Sequence, residues 1–314
     1  MFPYIFRKLL YNVPVYLSII LLVMAALRVH DPVYSFLGKN ARAEDVIEYK
    51  QKVGLDQPFL VQYFRFLTTF DLATESWDQK GRTVKEVLSG SVIPSLSLTL
   101  PALLLTTLIS ICVGIISSYY RGRVVDRVLV VAAVLGMSVS FLVYIILGQY
   151  FGAYLLNRQL GHELFAVDGY ESGLANWPRY CLLPVMISVI VGMGYDTRYY
   201  RAVMVEESER DYITTALAKG ASKHKVMFVH MLKNAMIPII TRVAISLPFL
   251  IVGSILLESF FGIPGMGRTL IGAVRANDFP VVQAFTAIFA AVYIATIILT
   301  DILYALFDPR VRLS

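Results

Sequence analysis

Long runs of apolar residues constrain this 314-residue chain more than any other feature of its sequence. A membrane-spanning helix needs about 20 mostly apolar residues, and six stretches reach that length. The chain is 57% hydrophobic and 16% charged, whereas a soluble domain is roughly 45–50% apolar and about 25% charged. We therefore predict an all-α polytopic membrane protein with six transmembrane helices. The predicted spans cover residues 9–27, 92–119, 128–156, 180–200, 235–257 and 281–306.

The first apolar run has a second interpretation, as a secretory signal peptide. It exceeds the usual 7–15 apolar residues of such a peptide, and a basic Arg28 follows where small residues precede a cleavage site. We interpret it as an uncleaved membrane anchor.

The distribution of Lys and Arg over the short loops sets the expected orientation, because short basic loops stay in the cytoplasm. The opposite short loops carry only Arg158, Arg179, Arg268 and Arg275, and the basic segment 28–90 is long enough to be translocated regardless of charge. Both termini are therefore predicted to be cytoplasmic, and the dispersal of the basic residues argues against nucleic-acid binding. The residues of the basic side are Arg7, Lys8, Arg121, Arg123, Arg127, Arg198, Arg201, Arg210, Lys219, Lys223, Lys225, Lys233, Arg310 and Arg312.

The stretch "DYITTALAKGASKHKVMFVHML", residues 211–232, is too polar for lipid and lies on the predicted cytosolic side between the fourth and fifth spans. Its pattern predicts two short helices broken at Gly220, with Ser222 as the N-cap of the second. Ile213, Ala216, Leu217 and Gly220 recur at helical spacing and form a face of mostly small residues, to which another surface could approach closely. Periodicity alone leaves a second interpretation open, an amphipathic helix lying on anionic lipid.

Several motifs resemble the permease subunits of binding-protein-dependent ATP-binding-cassette (ABC) importers, and most closely their dipeptide/oligopeptide branch. They are "DPVYSFLG", "VGLDQPFLVQYFRFL", "DYITTALAKGASKHKVMFVHMLKNAMIPIIT", "ESFFGIPGMGRTLIGAVRANDFPVVQAF" and "TDILYALFDPRVR". The family's Glu-Ala-Ala signature is degraded here, with Thr214, Thr215 and Ala216 in place of the triplet and Gly220 as its glycine. The segment "FDLATESWDQKG" and Arg242 also depart from the family pattern.

The resemblance implies a type I ABC importer permease fold in a bacterial inner membrane. Residues 1–91 would form the first span and a long external segment, and residues 92–307 a core of five helices. The cytosolic coupling loop would cover residues 201–234 and the cytosolic tail residues 308–314.

In that family the cytosolic stretch is a coupling helix that inserts into a groove of an ATPase subunit. The resemblance thus implies a docking element at 211–220 with its support at 222–232, and a bulky residue at Gly220 or Ala216 is expected to uncouple transport. The docking residues would be Asp211, Tyr212, Ile213, Ala216, Leu217, Gly220, Ser222 and Lys223.

The same resemblance implies the partners. They are two ATPase subunits, a second and non-identical permease, a solute-binding protein on the outer face, and membrane lipid. It implies no cofactor in this chain, since ATP and Mg²⁺ would be bound by the ATPase subunits.

The sequence carries no marked site for bond chemistry. Lys39 belongs to its sole Gly-Lys pair, which lacks the surrounding residues of a phosphate loop, and Cys112 and Cys181 form no metal or disulfide motif. The segment "GIPGMGR" superficially suggests a nucleotide loop, but it falls on the external side, where its residues suit a compact turn. That predicted external turn contains Gly262, Pro264, Gly265 and Gly267.

Three ionisable residues stand in or beside the predicted spans, namely Asp196, Arg242 and Asp301. Intramembrane charges usually pair or line a cavity. We expect Arg242 to pair with Asp196 or Asp301 near an inner gate, while separate snorkelling of each side chain to the interface remains the alternative.

The predicted function is therefore a transport subunit and not an enzyme. It would form the path for di- or oligopeptides or related solutes, driven by separate ATPases. The alternative is a channel or secondary carrier with no ATPase partner, and a membrane enzyme or scaffold is less favoured. The sequence leaves the cargo open, since relatives in this family carry nickel, opines, sugars or peptide antibiotics.

Overall fold

The computed structural model describes residues 2–29, 32–38, 41–252 and 254–307. The predicted tail at 308–314 lies outside these residues. Within them the regular secondary structure is helical, apart from one isolated bridge between Glu75 and Thr83. Two π-helical segments occur, at Gly148–Leu155 and Val226–Met231. The α-helices are α1 (Phe2–Ala26), α2 (Pro32–Leu37), α3 (Ala43–Val53), α4 (Phe59–Thr69), α5 (Val84–Tyr119), α6 (Val124–Ser138), α7 (Phe141–Leu147), α8 (Leu156–Leu160), α9 (Trp177–Ser208), α10 (Asp211–Ala218), α11 (Lys223–Lys225), α12 (Leu232–Val252), α13 (Ile255–Phe260), α14 (Met266–Ala276) and α15 (Phe279–Phe307).

Five helical stretches of the described residues are long and apolar enough to cross a membrane on their own. They are Phe6–Ala26, Val84–Tyr119, Trp177–Ser208, Lys223–Leu247 and Phe279–Leu303. A sixth crossing is present if the bent pair Val124–Ser138 and Phe141–Leu160 counts as one span. The all-α polytopic architecture predicted from the apolar runs is confirmed.

The third predicted span, 128–156, is not the continuous helix that its apolar run suggested. Its two halves meet at an angle of 89°, and Val139 and Ser140 at the break have extended backbone. The hydroxyl of Tyr144 donates to the carbonyl oxygen of Gly136 at 3.0 Å, and that of Ser138 donates to Val134 O at 2.7 Å. Side-chain donors thus satisfy carbonyls near the end of α6, so the helix can end inside an apolar run.

The second span begins at Val84, eight residues before the predicted start at 92. A capping box sets this start, in which Thr83 Oγ1 accepts from Glu86 N and Glu86 Oε2 accepts from Thr83 N. The 36 residues of α5 span about 54 Å at 1.5 Å per residue, well beyond a hydrocarbon core of ~30 Å. One end of α5 therefore projects beyond the lipid.

Glycines allow α9 to pack closely against α5 and α6. A Cβ at Gly114 of α5 would lie 3.1 Å from backbone atoms of Tyr200 and Arg201, and one at Gly194 would lie 2.9 Å from Ala133 O. Such small-residue contacts bring helix backbones together where lipid supplies no hydrophobic driving force. The close contact fixes the C-terminal half of α9, and α10 follows shortly after the end of this helix.

The segment between α1 and α5 packs on the start of α15 through an aromatic cluster. The ring of Trp77 lies 5.5 Å from Phe36, 6.0 Å from Tyr49 and 5.9 Å from Phe279, measured between ring centroids. The buried carboxylate of Asp278 accepts hydrogen bonds from Ser76 Oγ and from Asp78 N. This segment is therefore part of the helical body and not a detached loop.

Candidate functional site

The stretch at 211–232 begins with a short helix, α10, that lies between the two long spans α9 and α12. Gly220 has a φ of +82°, a left-handed conformation that favours glycine, and it ends the connection after α10. Ser222 is the N-cap of the next helix, as the sequence predicts, and its Oγ accepts from Lys225 N at 3.3 Å. From Lys223 the chain is helical without a break to Val252, so any displacement of α10 is applied directly to a span.

The inward face of α10 packs on the protein's own bundle. Ile213 is 8% exposed and lies in a cluster of apolar residues from α5, α9 and the helix that follows α10. Tyr212 and Ala216 are half-buried against the same cluster. The other members are Ile115, Tyr200, Met204, Val226, Met231, Ala235 and Ile239.

The outward face of α10 consists of Asp211, Thr214, Thr215 and Ala218, all of which are exposed. Exposed Leu217 and Gly220 border it, and Lys223 is exposed beyond the break. The face predicted from periodicity is therefore divided, because Ile213 and Ala216 face the bundle whereas Leu217 and Gly220 are exposed. Ile213 and Ala216 attach α10 to the bundle, because their side chains pack on apolar residues of α5 and α9.

A hydrogen bond ties α10 to the end of α9. The hydroxyl of Tyr212 donates to Glu207 Oε2 at 2.6 Å. Burial, followed by this bond, raises the pKa of Tyr212 to about 12, so the hydroxyl stays a donor throughout the physiological range. The short helix is therefore held in a defined orientation.

A buried ion pair next to this site was not identified from the sequence. Asp126 of α6 accepts from Arg201 Nε at 2.7 Å and from Arg201 Nη2 at 2.8 Å, and also from Ser117 Oγ and Gly122 N. The signal was available, because Asp126 is the one acidic residue in the basic turn "RGRVVDR". The pair joins α6 to α9 ten residues before α10 begins.

Asp126→Ala is expected to lower the free energy of unfolding by about 1.5–3 kcal/mol, because it removes a buried carboxylate that accepts hydrogen bonds from Arg201, Ser117 and Gly122. Thermal unfolding in detergent would measure the loss. Glu206→Ala is the control, since it breaks an exposed pair with Arg210 whose contribution is only ~0.5 kcal/mol. Equal effects of the two substitutions would contradict the assignment.

The structure places the three intramembrane charges in two separate pairs. Arg242 donates to Asp196 Oδ1 at 3.0 Å and also lies over the Tyr199 ring. Asp301 forms an ion pair with Lys8 of the first span instead. Of the two partners considered for Arg242, the contact is therefore with Asp196.

A double-mutant cycle with Arg242→Ala and Asp196→Ala is expected to give a coupling energy of roughly 1 kcal/mol in thermal unfolding, because the arginine is partly exposed. The matched cycle of Arg242→Ala with Asp301→Ala should be additive. A coupling energy in the second cycle and none in the first would show that Arg242 pairs with Asp301 and not with Asp196.

The glycine-rich turn at 262–267 surrounds a buried carboxylate. Glu258 is fully buried, and its carboxylate accepts from Ser95 Oγ at 2.6 Å and from Arg268 N at 2.9 Å. A Cβ at Gly265 would lie 2.5 and 2.6 Å from the two oxygens of this carboxylate.

The other glycines of this turn are also confined. A Cβ at Gly267 would lie 2.8 Å from Ile255 Cγ1, and Gly262, with a φ of +68°, approaches Gly169 N. Pro264 is exposed at the tip. These contacts give a compact turn packed on α5.

Comparison with known proteins identifies the family. The model of the binding-protein-dependent transport system inner membrane component matches residues 110–313, and the model of the N-terminal part of such components matches residues 1–88. The probable peptide ABC transporter permease protein y4tP of Sinorhizobium fredii is 31% identical, over 98% of this chain and 99% of its own.

A second relative, the glutathione transport system permease protein GsiC of Salmonella paratyphi A, is 33% identical over 99% of both chains. Both similarities thus extend over nearly the whole chain. The chain belongs to the binding-protein-dependent inner membrane components, the non-enzymatic permease subunits of bacterial ABC importers.

Proposed function

We propose that this permease forms part of the path by which di- or oligopeptides cross the inner membrane. Two ATPase subunits bind on its cytosolic side, and a second, non-identical permease completes the path. A solute-binding protein delivers the cargo from outside. ATP and Mg²⁺ are bound by the ATPase subunits, and this chain contributes the path and the element on which they act.

The observation that carries the proposal is the arrangement of α10. Its inward residue Ile213 is buried in the bundle, while the outward face of Asp211, Thr214, Thr215 and Ala218 is exposed at a fixed orientation. The helix connects directly to two spans. A short helix held in this way transmits a rigid-body displacement to the spans.

The orientation follows from charge. The turn between α5 and α6, the end of α9 and the stretch from α10 to α12 carry most of the Lys and Arg of the short loops. By the positive-inside rule, this distribution supports a cytosolic α10 and an external turn at 262–267.

The names of the relatives support a peptide as the cargo. One is a peptide transporter permease and the other a glutathione transport permease, and glutathione is itself a tripeptide. Each match covers nearly all of both chains. A short peptide is therefore the cargo class that we propose.

Cysteine cross-linking tests the docking assignment in a chain whose Cys112 and Cys181 are replaced by alanine. Thr214→Cys on the outward face should cross-link to the ATPase subunit of the assembled importer. Ala216→Cys, two residues away on the inward face, should not. Cross-linking through Ala216 alone, or assembly and solute movement with no ATPase bound, would contradict the proposal and favour a carrier.

A further inference from the structure

A cavity of about 200 Å³ lies between the end of α1, helix α4 and the start of α15. Its wall is largely apolar and aromatic, with Met24, Phe66, Phe70, Trp77 and Phe279 among the lining residues. The volume is below the ~300–1,000 Å³ of pockets for drug-sized ligands, so the cavity fits one end of a small molecule.

Two buried hydrogen-bond donors of this cavity have no acceptor among the described residues. They are Nε of Arg28 and Nε2 of Gln283, and both side chains line the cavity. Gln283 is only 8% exposed. A buried donor without a partner carries a desolvation cost that a native fold avoids unless a ligand or water supplies the acceptor. Both donors belong to side chains of one cavity wall, so a ligand in this cavity can supply the acceptor that each lacks.

The Arg28 guanidinium is held in place before any ligand binds. Its Nη2 donates to Gln62 Oε1, and the amide of Gln62 is itself fixed by donation to the carbonyl oxygens of Leu55 and Gln57. The rings of Phe59 and Phe279 lie 5.0 and 5.7 Å from the guanidinium carbon. A planar guanidinium held against aromatic rings is suited to bind an oxyanion.

The charge of the lining also favours an anion. Arg28 and Arg65 contribute two positive charges and Asp71 one negative charge. The Asp71 carboxylate already accepts from Ala73 N at 2.8 Å and from Thr74 Oγ1 at 3.4 Å. The charged side chains that line the cavity therefore carry a net positive charge, and this charge lies on the two arginines.

We propose that this cavity binds the carboxylate of the transported solute, such as the C-terminal carboxylate of a short peptide, with one oxygen on Arg28 Nε and the other on the Gln283 amide. The inference rests on the proposed function, which places the cavity on the outer side and makes peptides the cargo. A phospholipid phosphate offers the same acceptor chemistry, and the experiment below separates the two sources.

Trp77 provides the readout, because it lines the cavity and is one of two tryptophans in the chain. The full-length permease in nanodiscs of neutral phosphatidylcholine is titrated with alanyl-alanine while its fluorescence is recorded. A saturable change that disappears in Trp77→Phe is expected. Alanyl-alanine amide, which lacks the carboxylate, should bind at least about tenfold more weakly, because the two donors then lack an anionic acceptor.

Gln283→Leu separates ligand binding from folding. The leucine is close in size and removes an unpaired polar group, so the melting temperature should stay equal or rise while alanyl-alanine affinity falls at least about tenfold. Arg28→Lys, which keeps the charge but removes Nε, should also weaken binding. Arg42→Gln, which removes an exposed charge outside the cavity from the same segment, should leave the affinity unchanged.

Equal binding of the peptide and its amide, or unchanged affinity in Gln283→Leu, would overturn the inference. A Trp77 response to phosphatidylglycerol in the nanodisc with none to alanyl-alanine would also overturn it, in favour of a lipid headgroup. The titration needs no ATPase, so a failed titration beside intact ATP-driven peptide uptake removes this site and leaves the proposed function standing.

Discussion

Ala218→Trp is expected to reduce peptide-stimulated ATP hydrolysis by at least about tenfold, a loss equivalent to roughly 1.4 kcal/mol or more of coupling. Ala218 lies on the outward face of α10, one turn after Thr214 and Thr215. An indole at this position would hold the ATPase surface away from the helix. ATP hydrolysis and uptake by the importer in proteoliposomes would measure the effect, and the permease itself should keep its melting temperature.

Two other tryptophan substitutions serve as comparisons for Ala218→Trp. Ala216→Trp should lower the melting temperature as well as coupling, because Ala216 packs against the apolar cluster under α10. Val124→Trp, at the exposed first residue of α6, should change neither. Normal coupling in Ala218→Trp would show that the ATPase docks elsewhere.

The contrast between Ala216 and Ala218 illustrates what the sequence could and could not predict. Helical spacing and the residues Gly220 and Ser222 were enough to locate α10 and the helix after it, since those signals are local. The rotation of α10 about its axis depends on the space between α5 and α9, where Ile213 fits. An apolar residue at helical spacing does not reveal whether its partner is its own chain or another protein.

The membrane spans show the same difference between features set by local sequence and features set by contacts in the folded chain. Apolar length located all the long helices, because the bilayer sets that requirement directly. The break at Val139 and the early start at Val84 involve individual side-chain hydrogen bonds. The Tyr144 hydroxyl forms one beside the break, and the Thr83–Glu86 capping box forms those at the start of α5. The Asp126–Arg201 pair shows the same limit, because Asp126 stands out in its basic turn but its partner lies 75 residues away in the sequence.

Gly265→Val, in the turn at 262–267, is expected to lower the free energy of unfolding by about 3–5 kcal/mol. Its Cβ would take the space of the Glu258 carboxylate, which has no exposed surface into which to move. Displacing that group breaks its bonds from Ser95 Oγ and Arg268 N. It also disturbs the start of α14, since Ser95 Oγ accepts from Met266 N at 2.7 Å.

Gly272→Ala is the matched control, because Gly272 lies inside α14 with nothing within 4 Å of a Cβ. In a helix interior, alanine is more favourable than glycine by up to ~1 kcal/mol. The stability of this variant should therefore equal or slightly exceed that of the wild-type chain. Thermal unfolding of both variants in detergent provides the comparison. If Gly265→Val melts with the wild-type chain, the Glu258 carboxylate has room to move and the turn is not the rigid junction between α5, α13 and α14 that its hydrogen bonds indicate.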